Sequence, residues 1–182
     1  MKQHLCPMLK LPIPSMAGLT TERLVFRHPV IEDRSWWMEY LNSAEAIRFM
    51  PFTVGNEDNC IFFIQRSIDR IAHDGSCLNV VSDRASNKPV GMIGLLTQEV
   101  DGVAELEIGY HLLPSAWGKG FATEAAMACK AFVQKHGCAS SIISLIDPEN
   151  YKSQAVAKRN GMLHDKNTVH RDEPVMVFRV EL

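Results

Sequence analysis

Glu107-Ile108-Gly109-Tyr110-His111-Leu112-Leu113, followed after Pro114-Ser115-Ala116-Trp117 by Gly118-Lys119-Gly120-Phe121-Ala122-Thr123-Glu124-Ala125, is the stretch on which the reading of this chain turns. It reads as a strand, a glycine-punctuated loop and a helix that begins in small residues. Glycines at 118 and 120 allow a sharp backbone turn and leave its N–H groups uncovered by side chains. The first turn of the following helix adds unpaired N–H groups and the positive end of its dipole. Such a junction suits an anion, above all a phosphate or pyrophosphate. The sequence therefore points to a phosphorylated ligand.

Two kinds of site use that physics. A dinucleotide fold requires G-x-G-x-x-G directly after a strand, with an acid about twenty residues on for the ribose. Here Thr123 stands at the third glycine position, and Asp147 could serve as the ribose acid. Pro114-Ser115-Ala116-Trp117 is too long for the tight turn, however, and the chain ends at Leu182, too soon for the second half of such a sheet. An NAD(P)-binding oxidoreductase is thus the weaker reading. Trp117-Gly118-Lys119-Gly120-Phe121-Ala122 resembles instead the pyrophosphate loop of the GNAT superfamily of N-acetyltransferases, whose pattern is Arg or Gln, two residues, Gly, one residue, Gly or Ala. Trp117 stands where the Arg or Gln usually sits, a departure common in the ribosomal-protein N-terminal (Rim-type) branch. Thr21-Glu22-Arg23-Leu24-Val25-Phe26-Arg27 is similar to the opening strand of that branch.

The remainder of the chain supplies the elements such a fold needs. Leu24 to Phe26 reads as a first strand. Asp33 can cap a helix through Trp36, Trp37, Tyr40 and Leu41, and Asn56 a second one carrying Ile61, Phe62, Ile64, Ile68 and Ile71. Cys77 to Ser82 and Val90 to Thr97 form a hairpin across the turn-rich segment 83–89. A turn at Asp101-Gly102 leads into Val103 to Leu113, where Leu106, Ile108, Tyr110 and Leu112 alternate with Glu105, Glu107, Gly109 and His111. After the loop come a helix from Phe121 to near Gly137, an apolar strand to Ile146, a helix from Tyr151 to Arg159, and strands at 162–169 and 175–180. The layout is α+β, a mixed, mostly antiparallel sheet of about seven strands flanked by helices.

A chain of 182 residues suits one domain with a sizeable core. Its 22% charged residues and net charge of −2 lack the basic excess of a nucleic-acid binder. No apolar run approaches the length of a membrane span. Residues 1–18 carry Pro7, Pro12 and Pro14 and lack the apolar block and cleavage site of a signal peptide. They read as a loose N-terminal arm before a domain at 19–182, and a cytoplasmic location is expected. The cysteines at 6, 60, 77, 129 and 138 form no C-x-x-C pair, so reduced thiols are expected rather than a disulfide frame, with Cys129 a small buried hydrophobe. His164 and His170 read as surface histidines, and no metal is expected.

The resemblance implies transfer of an acetyl group from acetyl-CoA, a co-substrate, to a primary amine in a ternary complex. The acceptor would be a protein N-terminal α-amine or a small-molecule amine. In such enzymes the sheet is splayed between the fourth and fifth strands, and the pantetheine arm lies in the gap. Unpaired backbone groups are expected here near Leu112 and Leu113, their N–H groups facing the thioester oxygen. Pyrophosphate would rest on the amides of Gly118, Lys119, Gly120, Phe121 and Ala122, with a hydroxyl from Thr123. Asn150 and Ser153 match the branch's CoA-contacting Asn and a Ser near the thiol, although Asn150 equally suits a helix cap. Many relatives carry a proton-donating tyrosine further along this helix. That position is Ala157 here, which leaves Ser153 or a water.

Removal of the amine proton calls for a base, and Glu107, ahead of the splay, is the first candidate. Glu105 on the same face is the second, and solvated carboxylates are the plain alternative for both. His111 joins that face unless a bulge near Gly109 reverses it. Two carboxylates on one face would favour a cationic or uncharged amine. Lys119, Lys152, Lys158 and Arg159 fall near the phosphates or are simple surface charge. Of Trp36 and Trp37, one packs in the core while the other can border the acceptor. A non-catalytic acyl-CoA sensor is the reading from a different class, and a homodimer is left open.

Overall fold

The computed structural model describes residues 8–182. In chain order its elements are β1 (Leu24–Arg27), α1 (Arg34–Leu41), α2 (Glu57–His73), β2 (Cys77–Asp83), β3 (Lys88–Val100), β4 (Val103–Leu112), α3 (Phe121–His136), β5 (Ser141–Ile146), α4 (Tyr151–Arg159), β6 (Leu163–His170) and β7 (Glu173–Glu181). The described strands form one seven-stranded sheet in the order β1-β2-β3-β4-β5-β7-β6. β4 and β5 run parallel and every other neighbouring pair is antiparallel. A sheet with one parallel pair is no dinucleotide fold, which needs a mostly parallel one.

Local chemistry explains the boundaries. Asn56 caps α2, its side chain accepting from the Asn59 N–H at 3.0 Å, with Glu57 and Asp58 in the first turn to favour the dipole. Asp101 and Gly102 both take left-handed conformations, with φ 52° and 76°. That is the two-residue turn whose twist suits a hairpin, and it sets an unbroken register from Val100↔Val103 to Gly91↔Leu112. Asp33 departs from expectation as a cap. It sits in helical backbone at the end of a short 3-10 turn and makes no capping bond to α1. Its carboxylate instead takes both Arg27 guanidinium nitrogens, at 2.8 and 2.5 Å, together with the Val30 N–H and the Trp36 indole N–H.

Period two along β4 sends alternate side chains to opposite faces. His111 meets Tyr40 of α1 and Phe63 of α2, while the Tyr110 hydroxyl reaches α4. The sheet is thus packed on both sides, with Trp37, Leu41, Cys60 and Ile64 buried from the first helix pair and Ala125, Cys129, Phe132 and Val133 from α3. Burial pushes the Cys129 thiol up to about 12, so it behaves as a small hydrophobe. Cys60, Cys77 and Cys138 are also free and buried; Cys6 lies outside the described residues.

From Met8 onward the N-terminal arm is held to the domain. Lys10 N–H donates to the Cys138 carbonyl and Ile13 N–H to that of Asp74. Ile13 and Met16 are each 3% exposed. No helix of the described residues is long and apolar enough to cross a membrane.

Candidate active site

The site begins where β4 and β5 part. Among the described residues Glu107↔Ile143 is the one register pair between them. In an antiparallel ladder the N–H and C=O of alternate residues point to the same neighbour. Leu113 N–H donates to the Val90 carbonyl at 2.9 Å, so the odd-numbered residues of β4 bond to β3 and the even-numbered ones face β5. The Ser144 hydroxyl takes the Ile108 carbonyl at 3.0 Å, and beyond it the backbone groups of Tyr110 and Leu112 turn to the gap. Leu112 therefore presents an N–H there as expected, whereas the N–H of Leu113 is committed to β3. The carbonyl of Leu112 accepts the Trp117 indole N–H at 2.9 Å, which draws the indole to the gap side of the strand.

A 3-10 turn at Pro114–Ala116 leads from β4 into the glycine loop. Gly118 and Gly120 take φ 73° and 80°, a region costly for any residue with a Cβ. The space in front of Gly118 is open, with no atom within 4 Å of where a Cβ would stand. Gly120 is the N-cap of α3 and offers no side-chain acceptor to the helix. The first-turn amides of Phe121, Ala122 and Thr123 precede the first intrahelical bond, from Glu124 N–H to the Gly120 carbonyl. Open space at Gly118, donors without an intrahelical acceptor and a helix dipole together fit a pyrophosphate. Phe121 contributes backbone only, since its ring is buried. The Lys119 ammonium folds back on the Ser115 carbonyl at 2.7 Å.

One part of the loop's support escaped the sequence reading. Arg23 of the segment before β1 donates to the Lys119 carbonyl at 2.9 Å and to the Glu124 carboxylate at 2.7 Å, and lies 4.8 Å over the Phe121 ring. The Thr21 hydroxyl and the Arg23 N–H complete the grip on Glu124. Against the upward push of burial, these bonds hold the Glu124 carboxyl below its ordinary range.

On the other bank of the gap, Asn150 does cap α4, its Oδ1 accepting from the Ser153 N–H at 3.1 Å. That leaves the Asn150 amide nitrogen for a ligand. The Tyr110 hydroxyl donates to the Ser153 carbonyl at 2.8 Å, bridging the two banks. Burial raises its phenol well above the ordinary value. Ala157 is buried among apolar neighbours. Lys152 stands 4.5 Å over the Trp117 ring and pairs with Glu45, and Arg48 pairs with Glu149, both ion pairs at 2.7 Å. Lys158 and Arg159 are exposed in the last turn of α4.

The two carboxylates of β4 part company. Both are buried, Glu105 to 4% exposure and Glu107 to 9%, so neither is a solvated strand acid. Glu105 is held in a two-pronged ion pair by Arg179, at 2.6 and 3.0 Å, and Arg179 also takes Asp165 and Ser141. A carboxylate so engaged is structural and has no free charge for an approaching ammonium, which corrects the expectation of two attracting acids. Glu107 accepts from the Gln98 amide at 2.6 Å and more distantly from the Leu145 N–H. Burial raises its carboxyl above the ordinary value, opposed by Gln98, Leu145, Arg171 and Arg70. The unbroken register means no bulge reverses His111, which shares the face of Glu107. Its Nδ1 lies 3.1 Å from the Tyr40 hydroxyl, and burial pushes the imidazole down to about 4. Trp37 is the core indole, and Trp36 is half-buried against Asp33.

The comparisons with known proteins agree with this geometry. Residues 23–163 match the family profile described as an acetyltransferase (GNAT) domain. The protein YkkB of Bacillus subtilis (strain 168) is 31% identical over 104 residues, a span of 57% of this chain and 60% of that relative. The uncharacterized N-acetyltransferase YnaD of the same organism is 27% identical over 79% of this chain and 81% of its own length. Among solved structures, an acetyltransferase from Agrobacterium tumefaciens str. C58 superposes with TM-score 0.77 at 23% identity, covering 96% of this chain and 98% of that one. RimL, a ribosomal L7/L12 α-N-protein acetyltransferase solved with coenzyme A, gives TM-score 0.72 at 15% identity over 91% and 97% of the two chains. With the profile spanning most of its length and the splayed sheet and glycine loop in place, this chain belongs to the GNAT acetyltransferase family.

Proposed function

We propose that the protein moves the acetyl group of acetyl-CoA to a primary amine by direct transfer in a ternary complex, with residues 19–182 as the working unit. One observation carries the reading: the open edge of β4 past Ile108 leads, through the turn at Pro114–Ala116, to the glycine loop and to first-turn amides of α3 that have no intrahelical partner. That arrangement suits a long, polar ligand ending in a pyrophosphate. Bound acetyl-CoA supplies a thioester carbonyl as the electrophile. Trp117, Gly118, Lys119, Gly120, Phe121, Ala122 and Thr123 hold the phosphates, chiefly through their backbone. The Leu112 N–H serves the thioester oxygen, and Asn150 and Ser153 flank the thiol end.

Glu107 is the base in this scheme. A buried carboxylate raised above its ordinary value accepts a proton from an ammonium more readily than a solvated one. The amine nitrogen then forms its bond to the acetyl carbon as the carbon–sulfur bond breaks. The nitrogen sheds its second proton as the amide forms, and the thiolate gains one through Ser153 or a water, which is reprotonated in turn. The loop and the Thr21–Arg27 block support a place in the Rim-type branch, and with it a protein α-amine or a small amine as acceptor.

The test is thermal unfolding with acetyl-CoA and, separately, NAD, followed by thiol release with a panel of amines. At one hundred times its dissociation constant a ligand adds about 2.7 kcal/mol, roughly 5–10 °C for a chain of this size. Stabilisation by NAD and not by acetyl-CoA refutes the reading. Stabilisation by acetyl-CoA without amine-dependent thiol release reduces it to an acyl-CoA sensor.

A further inference from the structure

The surroundings of Glu107 carry more positive charge than proton transfer requires. α2 contributes Arg66 and Arg70, one turn apart on the same helix face. The turn between β6 and β7 contributes Arg171, whose Nη2 donates to the Gln98 Oε1 at 3.1 Å. The amide of the same Gln98 donates to Glu107, so one side chain joins the hairpin turn to the candidate base. The guanidinium groups of Arg66, Arg70 and Arg171 are close enough to repel one another, and each lies within electrostatic reach of Glu107. Beside them the His170 Nε2 is buried without a hydrogen-bond partner.

The acids nearby do not answer this charge. Asp74 also lies within electrostatic reach of Arg70, but it is occupied by the Ser76 N–H, the Thr97 hydroxyl and His73. Asp69 accepts from Gln65. Among the described residues no ion pair joins Arg66, Arg70 or Arg171 to a carboxylate. Arg70 is anchored, its Nη1 held by the Thr97 carbonyl and the Ser76 hydroxyl at 3.1 Å each. Arg66 and the remaining donors of Arg171 are uncommitted. Arg66, half-buried, and Arg171, exposed on the hairpin turn, are gathered by the fold with no carboxylate in direct contact, and their planar forks match carboxylate and phosphate oxygens.

We propose that the acceptor is a primary amine bearing a carboxylate or phosphate on the same molecule, its anion held by Arg66 and Arg171 and its amine turned to Glu107. This rests on the acetyl-transfer reading of the site. A polyamine or other cationic acceptor would meet three arginines, with Asp69 and Asp74 already engaged by Gln65, Ser76 and Thr97. An amine with an anionic end meets arginine at its anion and Glu107 at its amine. Arg70 acts as a positioning residue that fixes the Thr97 side of the wall.

The experiment titrates the CoA-saturated protein by calorimetry with ω-amino carboxylates and aminoalkyl phosphates. Each is matched to its uncharged amide or alcohol of equal length, and the two series show which anion is preferred. Thiol release from acetyl-CoA is followed with the same compounds. The anionic member of each pair should bind about 10–100-fold more tightly than its uncharged partner, the range of a charged hydrogen bond. In Arg66→Gln/Arg171→Gln that preference should collapse, with the loss in KM, while acetyl-CoA affinity stays parental. Arg66→Lys should retain part of it. Equal affinity for charged and uncharged partners, or an equal loss for both in the double variant, overturns the inference and leaves acetyl transfer standing. Loss of acetyl-CoA binding by the parent protein itself would instead overturn the acetyl-transfer reading.

Discussion

The Glu105–Arg179 pair gives the sharpest separation of structure from chemistry in this site. Its side chains are 5% and 15% exposed, and the two guanidinium contacts are 2.6 and 3.0 Å. Arg179→Met removes the counter-charge and leaves Glu105 buried beside Ser141. Breaking a buried pair from one side costs about 3–5 kcal/mol, and each kcal/mol lowers Tm by roughly 2–4 °C at this chain length. The expected fall is therefore roughly 6–20 °C. Glu105→Gln should cost less, because Arg179 keeps Asp165 and the Ser141 hydroxyl. In Glu105→Leu/Arg179→Met the buried unpaired charge of Glu105 is gone and only the partly exposed Asp165 lacks its partner, so most of the loss should return, as replacing a buried pair with apolar groups is often neutral or better. Urea unfolding at constant slope reads the differences directly. Thiol release by Glu105→Gln should stay at the parental level. A cost below about 1 kcal/mol for Arg179→Met, typical of an exposed pair, would refute the reasoning. So would a double variant no more stable than the worse single one.

Glu107→Gln should lower turnover about 10²–10⁴-fold with acetyl-CoA affinity unchanged, and the parent's kcat/KM should fall as pH drops through a carboxyl pKa above the ordinary 4.5. Because folding raises that pKa, the carboxyl's contribution to stability is complete below 4.5 and lost as pH rises through the folded value. Relative to the parent, Glu107→Gln should therefore be more stable at pH 7 than at pH 4, and the opposite trend in unfolding experiments would count against a buried acid. Gly120→Val should abolish acetyl-CoA binding, measured by calorimetry, at a stability cost of about 1–2 kcal/mol for a Cβ at φ 80°; retention of binding would make the loop a mere turn.

Much of this was legible along the chain. Gly118 and Gly120 announced the sharp loop because the conformations they take are ones other residues avoid, and period two in β4 put Glu107 and His111 on one face. The commitment of Leu113 to β3 was legible too, had the turn been followed through. A two-residue hairpin at Asp101-Gly102 fixes which residues of β4 bond to β3, and counting on from Val103 leaves Leu113 paired and Leu112 open. What the chain could not disclose were meetings across large sequence separations. Arg179 on Glu105, Arg171 on Gln98 and Tyr110 on the Ser153 carbonyl each depend on the strand order of the sheet. An isolated arginine or tyrosine in a sequence carries no mark of its partner.

The hold of Thr21 and Arg23 on the glycine loop bears on whether the loop motif is portable. Arg23 and Glu124 lie 101 residues apart, so the motif that looks self-contained between Trp117 and Ala125 is braced by the opposite end of the domain. Grafted onto another helix, those nine residues would keep their glycines and lose their brace. A ribosome releases Arg23 long before it releases Glu124, so the loop can take its working shape only once β1 has found the sheet edge beside β2. The loop's shape is thus a report that the first strand has docked, and no property of the loop alone.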